Sequence, residues 1–178
     1  KTAYEIYQCD WSSDVCSSDL ITGNSAANTL TGEAGNDTLD GGAGNDILMG
    51  GLGNDIYRFG RGYGADILAE DDATDGGMDV AQFGLGIPSD LLWFRHVGND
   101  LEVDIIGTTD SLTVQNWYSG SANYVEQFQT NDGKLLVNTD VESLVQAMAS
   151  FVPPTAGQTI LPPAYQTALA PVIAASWR

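Results

Sequence analysis

The sequence predicts a mainly β fold: a short parallel β-roll of nonapeptide repeats, then an antiparallel sheet with a C-terminal helix. Three observations carry this reading. Gly-x-x-Gly-Asn-Asp returns every nine residues from Gly32 to Asp55, with an apolar residue two places after the aspartate of each copy. From Val80 onward, short apolar–polar alternations punctuated by Gly-Asn-Asp and Asn-Asp-Gly turns read as strands. Between Thr139 and Phe151, apolar residues at helical spacing (Val141, Leu144, Val145, Met148) form one stripe.

The repeats align with the aliphatic residue at position eight: "GNSAANTLT" (Gly23–Thr31), "GEAGNDTLD" (Gly32–Asp40), "GGAGNDILM" (Gly41–Met49) and "GGLGNDIYR" (Gly50–Arg58). After a two-residue insertion, Phe59-Gly60, a worn fifth copy follows, "RGYGADILA" (Arg61–Ala69). Six residues suit a tight turn and three a short strand. Glycine reaches backbone angles that other residues avoid, so such turns stack closely. The turn aims carbonyl oxygens inward, and the aspartate at position six adds a carboxylate. Calcium takes six to eight hard oxygen ligands, more than one turn supplies but within reach of two stacked turns. A flexible glycine-rich linker would not hold this phase. A phosphate-binding loop would need Gly-Lys-Ser/Thr and a helix, and neither follows.

This skeleton resembles the RTX family, the haemolysin-type calcium-binding repeat proteins. The resemblance implies that successive strands alternate between two parallel sheets, so facing turns lie eighteen residues apart. Asp37 is then expected to face Asp55, and Asp46 to face Asp66 across the insertion; Asn28 would offer Asp46 only a neutral amide. The inward ladders are expected to be Leu30–Leu48–Leu68 and Leu39–Tyr57. The candidate calcium ligands are the carboxylates of Asp37, Asp46, Asp55 and Asp66, with turn residues Gly32, Ala34, Gly41, Ala43, Gly50 and Leu52.

The opening Lys1–Leu20 is different in kind. "KTAYEI" and "DWSSDVCSSDL" resemble one reading frame of a translated sequencing-library adapter, with "YQC" where a barcode would sit. This segment is expected to be non-native, to make few contacts and to hold no calcium ligand. Both cysteines, Cys9 and Cys16, lie inside it and argue for neither a disulfide nor a metal site. The remainder is expected to be a C-terminal fragment of a longer protein. It holds 20 acidic and 5 basic residues, a formal charge of −15. So acidic a surface repels nucleic acid and anionic membranes and favours cations. No apolar run approaches the ~20 residues of a membrane span, so stable insertion is not expected.

The expected organisation is a calcium-binding roll over 21–69, an acidic connector with a first strand over 70–89, a β-rich module over 90–151, and a linker with tail over 152–178. In the connector, Asp71, Asp75 and Gly76 fall at EF-hand positions, but Ala73 and Gln82 stand where ligands are required, so a solvated acidic loop is expected. Strands are expected over Asp90–Val97, Asp100–Ile106, Ser111–Tyr118 and Tyr124–Gln129, with a type I′ turn at Asn131–Lys134. Thr139 and Glu142 have capping-box spacing for the helix. The stretch from Asp90 to about Ala149 is similar to the haemolysin-type calcium-binding-related domain, which implies a cap over the open end of the roll. The tail around Tyr165–Trp177 suits, by position and low charge, an export signal for a type I secretion system, or equally a docked helix.

No catalytic constellation stands out. There is no Gly-x-Ser-x-Gly elbow and no His-Glu-x-x-His pair, and the single histidine, His96, sits in an expected strand. The expected function is that of a secreted, extracellular bacterial module, folded by calcium after export, with calcium and the type I machinery as partners. The alternative is the tail of a secreted protease, lipase or adhesin whose functional domain lies upstream.

Overall fold

A computed structural model describes residues 4–7 (backbone only), 18–70 and 77–178. The repeats form three- and four-residue strands that alternate between two sheets. β2 (Leu20–Thr22), β4 (Thr38–Asp40), β6 (Ile56–Phe59) and β8 (Val80–Phe83) lie side by side in one sheet. β3 (Asn28–Thr31), β5 (Ile47–Met49) and β7 (Ala65–Leu68) lie in the other. Neighbours run parallel, with Leu30 opposite Leu48, Leu48 opposite Leu68, and Leu39 opposite Tyr57. Strands this short do not persist alone. They hold because each turns its position-eight side chain into the space between the sheets: Leu30, Leu39, Leu48, Tyr57 and Leu68 are all fully buried.

The expected antiparallel strands and helix follow, but they extend the two existing sheets and build no separate one. β8 runs parallel to β6, and β12 (Gln127–Gln129) runs parallel to β8, which lines up Tyr57, Ala81 and Phe128. β11 (Ser111–Val114) runs parallel to β7, with Val114 opposite Leu68. Only then does the chain reverse. β9 (Leu92–Val97), β10 (Asp100–Ile105) and β11 form an antiparallel meander, and β12 pairs antiparallel with β13 (Leu135–Val137). The expected alternation in β10 is present, with Leu101, Val103 and Ile105 buried.

α1 (Asn138–Met148) covers the end of this double layer with Val141, Leu144, Val145 and Met148. It begins one residue before Thr139, so Thr139 lies within the first turn and no side chain caps the helix; the expected capping box does not form. α2 (Pro163–Ser176) docks through Leu169 and Ile173, and Pro171 sits inside it. Beyond α2, Arg178 exchanges two backbone hydrogen bonds with Leu135, both 2.9 Å. Phe94 meets Phe128 edge-on at 5.7 Å and Trp177 at 6.4 Å, which ties strand, roll extension and tail into one core.

Other expectations need correction. The segment Lys1–Leu20 was expected to make few contacts. Instead β1 (Tyr4–Tyr7) pairs parallel with β3, Leu20 opens β2, and the Asp19 carbonyl accepts the Thr38 N–H at 2.8 Å. The physical reason is the open edge of β3, whose free N–H and C=O groups accept an extended segment whatever its origin. Cys9, Cys16, Asp71 and Asp75 lie outside the described residues. The hairpin at Asn131–Lys134 is not type I′: only Gly133 has positive φ (84°), and its N–H returns to Thr130. That is a type I turn followed by a left-handed glycine, a three-residue hairpin loop. Trp117–Ser119 leaves the strand as a short 3-10 turn, so the expected strand to Tyr118 ends at Val114.

Two turn positions depend on glycine. At position four, Gly53 (φ 136°) leaves no room for a methyl group, which would overlap the Gly35 carbonyl. At position two, Gly42 and Gly51 are left-handed at 80° and 96°, but the equivalent residue in the second repeat is Glu33, at φ 75°. A non-glycine residue in this region carries roughly 1–2 kcal/mol of steric strain. Glu33→Gly is therefore expected to raise the stability of the calcium-loaded protein by about 1 kcal/mol, after the entropy cost of glycine is subtracted. Gly53→Ala is expected to lower it by more than that. Denaturant midpoints at saturating calcium measure both.

Candidate metal centre

The turns at the two edges of the roll carry two files of position-six side chains, each fully or almost fully buried. In the first file, the Asp37 N–H donates to Asp55 Oδ1 at 2.7 Å, and the Asp19 N–H donates to Asp37 Oδ1 at 2.7 Å. In the second, the Asn28 N–H donates to Asp46 Oδ1 at 2.7 Å and the Asp46 N–H to Asp66 Oδ1 at 2.9 Å. The structure therefore brings together the three pairs expected from the eighteen-residue spacing. A parallel file of position-five asparagines fixes the turn tips: Asn54 N–H donates to Asn36 Oδ1 at 2.9 Å and Ala65 N–H to Asn45 Oδ1 at 3.0 Å.

One carboxylate oxygen thus sets the register, which leaves the other. The Oδ2 atoms of Asp37, Asp46 and Asp66 are buried and make no hydrogen bond. For Asp37 and Asp46 it points into a hollow that glycine leaves at position one, whereas position one of the Asp66 repeat is Arg61. A Cβ on Gly32 would lie 2.5 Å from both Asp37 Oδ2 and the Gly50 carbonyl oxygen, and a Cβ on Gly41 would lie 2.5 Å from Asp46 Oδ2. Carboxylate and carbonyl oxygens from turns eighteen residues apart therefore converge on one small cradle. The polar atoms nearest the Gly32 and Gly41 positions are carboxylate and carbonyl oxygens, which suit a hard cation that takes oxygen ligands. Ala34 and Leu52 pair as a parallel bridge at the turn tips, where the Leu52 carbonyl accepts the Gly35 N–H at 2.8 Å. Leu52 and Ala43 are exposed, and Gly32, Gly41 and Gly50 are buried beside the cradle. Among the described residues, no three His, Cys, Asp or Glu side chains cluster as a metal site, so a cation here would draw most of its ligands from the backbone.

Burial dominates the electrostatics. It raises the Asp37 and Asp46 carboxyls, against the lowering effect of the backbone N–H each accepts. Burial, with the charges of Asp46, Asp110 and Asp40 added, pushes Asp66 up to about 7. Tyr57, which stands at position eight, adds a polar anchor: its hydroxyl accepts the Gly50 N–H at 2.8 Å and donates to Glu70.

Sequence reasoning missed two members of the first file. Asp55 N–H donates to Asp79 Oδ1 at 2.8 Å, and Asp79 N–H donates to Glu126 Oε2 at 3.0 Å. "GMDVA" (Gly77–Ala81) carries the signal, matching "GNDIL" at glycine, aspartate and the small apolar position eight. Glu126 has no such signal beyond standing two residues before a buried Phe128. His96, in the expected strand, stacks its ring on Tyr118 at 3.6 Å.

The family model for the RTX calcium-binding nonapeptide repeat matches residues 22–57 in four copies. Residues 22–57 thus match RTX repeats. The model for the haemolysin-type calcium binding protein related domain matches residues 100–139. RTX repeats of this type bind calcium, occur in secreted bacterial proteins and are non-catalytic. The chain is 39% identical over 93 residues to the iron-regulated protein FrpA of Neisseria meningitidis serogroup C, matching 51% of this chain and 8% of that protein. It thus spans a small part of that relative's length. A structural comparison aligns 55% of the chain with 17% of the extracellular lipase LipA from Serratia marcescens, at 24% identity and a TM-score of 0.30. Among the described residues, no helix is long and apolar enough to cross a membrane. A calcium ion held at these turns would supply the positive charge that the buried carboxylates lack.

The raised carboxyls have a signed consequence for the calcium-free protein. Asp66 titrates near 7 in the fold and near 4 in an unfolded chain. Between those values the folded state holds more protons, so stability falls as pH rises. In chelator, the protein is expected to hold more strand signal at about pH 5 than at about pH 8, and Asp66→Asn to flatten the difference. With calcium saturating, stability should follow the opposite order, because protons compete with the cation for the same oxygens. Circular dichroism in chelator and urea midpoints in calcium, at both pH values, provide the check.

Proposed function

We propose that this chain is a calcium-triggered folding module of a secreted bacterial protein, left unfolded inside the cell and folded outside it. The observation that carries the reading is the two files of buried carboxylates: Asp37, Asp46 and Asp66 each hold one carboxylate oxygen with no hydrogen-bond partner. Like charges brought together in low dielectric repel, and burial disfavours each of them. The strands between the turns are only three or four residues long and cannot offset that repulsion. Cation binding then supplies folding free energy directly.

The same logic supports export. A chain unfolded where calcium is scarce can be threaded through a type I secretion system and then fold in calcium-rich surroundings. The segment Pro163–Arg178 is the proposed export element. In the folded state it docks against the 3-10 turn Ser89–Leu91 and against α1, so it is free only before folding. The region matched by the related domain is the proposed cap, since β11 and β12 cover the edges that β7 and β8 would leave open.

Circular dichroism of the full chain tests the proposal. Strand signal should rise on addition of calcium and not of magnesium, which requires a tighter octahedron and keeps its waters. Asp46→Ala and Asp55→Ala should each weaken the calcium midpoint on the order of tenfold or more, since affinity follows ligand charge count. A complete sheet signal in excess chelator at neutral pH would refute the reading.

A further inference from the structure

The position-six file on the Asp37 side does not stop where the RTX match stops. The Asp55 N–H meets Asp79 Oδ1 at 2.8 Å, the same rung that joins Asp37 N–H to Asp55 Oδ1 at 2.7 Å. The next rung joins Asp79 N–H to Glu126 Oε2 at 3.0 Å. The position-five file extends in step, with Met78 N–H donating to Asn54 Oδ1 at 2.7 Å. Behind these rungs Tyr57, Ala81 and Phe128 stand opposite one another in adjacent parallel strands. Asp79 lies outside both matched segments, and Glu126 lies within the related domain. The other edge differs: there Leu112 stands opposite Asp66, and the file ends in an apolar side chain.

From this continuity we infer that Asp79 and Glu126 are positioning residues for calcium binding, through which the C-terminal module sets the register of the last RTX turn. The inference rests on the proposed calcium-dependent folding. Asp55 presents its carboxylate to the Asp37 turn only while its own buried N–H is held, and Asp79 holds it. Asp79 is held in turn by Glu126, at the head of β12. A buried donor left without its acceptor is costly, so loss of Glu126 propagates along the rungs to the Asp37–Asp55 cradle. The role requires an acceptor oxygen at residue 126 and no negative charge, because Glu126 acts through a backbone N–H.

Residue-resolved amide hydrogen exchange of the full chain, titrated with calcium, tests this. The amides of Asp37, Asp55 and Asp79 should gain protection with one shared calcium midpoint. Glu126→Ala should raise that midpoint at Asp37 by roughly tenfold, the loss expected for one buried donor left without its acceptor. Glu126→Gln, which keeps an acceptor oxygen, should restore it. If Asp37 gains protection with calcium but Asp79 does not follow, or if Glu126→Ala leaves the Asp37 midpoint unchanged, the inference is overturned and calcium-dependent folding stands. If no amide responds to calcium, the folding proposal itself fails and takes the inference with it. Should Glu126→Ala not fold at any calcium concentration, the wild-type midpoints decide: shared supports the coupling, separate overturns it.

Discussion

Each buried position-six carboxylate has two oxygens with different duties. One accepts the backbone N–H of the turn eighteen or more residues before it, and this bond fixes the stacking of turns. In Asp37, Asp46 and Asp55 the other faces a cradle that only a small residue at position one can leave open. The fold depends on this division. Without the first bond the turns would slide past one another, and a slip of one residue would carry Leu30, Leu39 and Leu48 out of the core. Without a cation for the second oxygen, the same burial that protects the register works against the charge.

The C-terminal module is best understood as more of the same solenoid, altered at its end. Parallel pairing continues for one strand beyond β7 and for two beyond β6 before the chain reverses. Reversal lets hairpins replace long crossovers, and it brings α1 and α2 over the final layer. The side chains grow as the roll becomes the module: leucines between the short strands give way to Phe94, Phe128, Trp117 and Trp177 beneath the helices. A larger core stabilises the end, where no further repeat contributes a neighbour.

Much of this was legible in the sequence because the repeat states its own geometry. A nine-residue period with glycine at fixed places points to stacked turns, and with the two-sheet alternation that the RTX resemblance implies, the pairs Asp37/Asp55 and Asp46/Asp66 follow from counting. What escaped had lost the period. Asp79 keeps glycine, aspartate and a small apolar residue in phase, but the acidic insertion before it hides the beat. Glu126 keeps only its place two residues before Phe128, and its relation to Asp55 is visible only once β8 and β12 are paired. The helix start was misplaced by one residue for a different reason: Val137 is held in β13 by its pairing with Gln127, and tertiary pairing overrides the local capping signal of Thr139.

The rungs of the Asp37 file span unequal lengths of chain. The first two each join residues 18 apart, the next 24, and the last 47. The bond itself barely changes, at 2.7, 2.7, 2.8 and 3.0 Å. Loop-closure entropy grows only with the logarithm of length, so going from the shortest span to the longest adds about 1 kcal/mol. Such a ladder measures distance in rungs and is nearly indifferent to what hangs between them. Whole hairpins can be accepted as insertions between adjacent rungs, as the strands between Asp79 and Glu126 already illustrate, provided that the chain returns with an acceptor at the rung and an apolar residue two places later. Evolution, or an engineer, can therefore lengthen the loops of this scaffold at small thermodynamic cost while the calcium-facing edge stays in register.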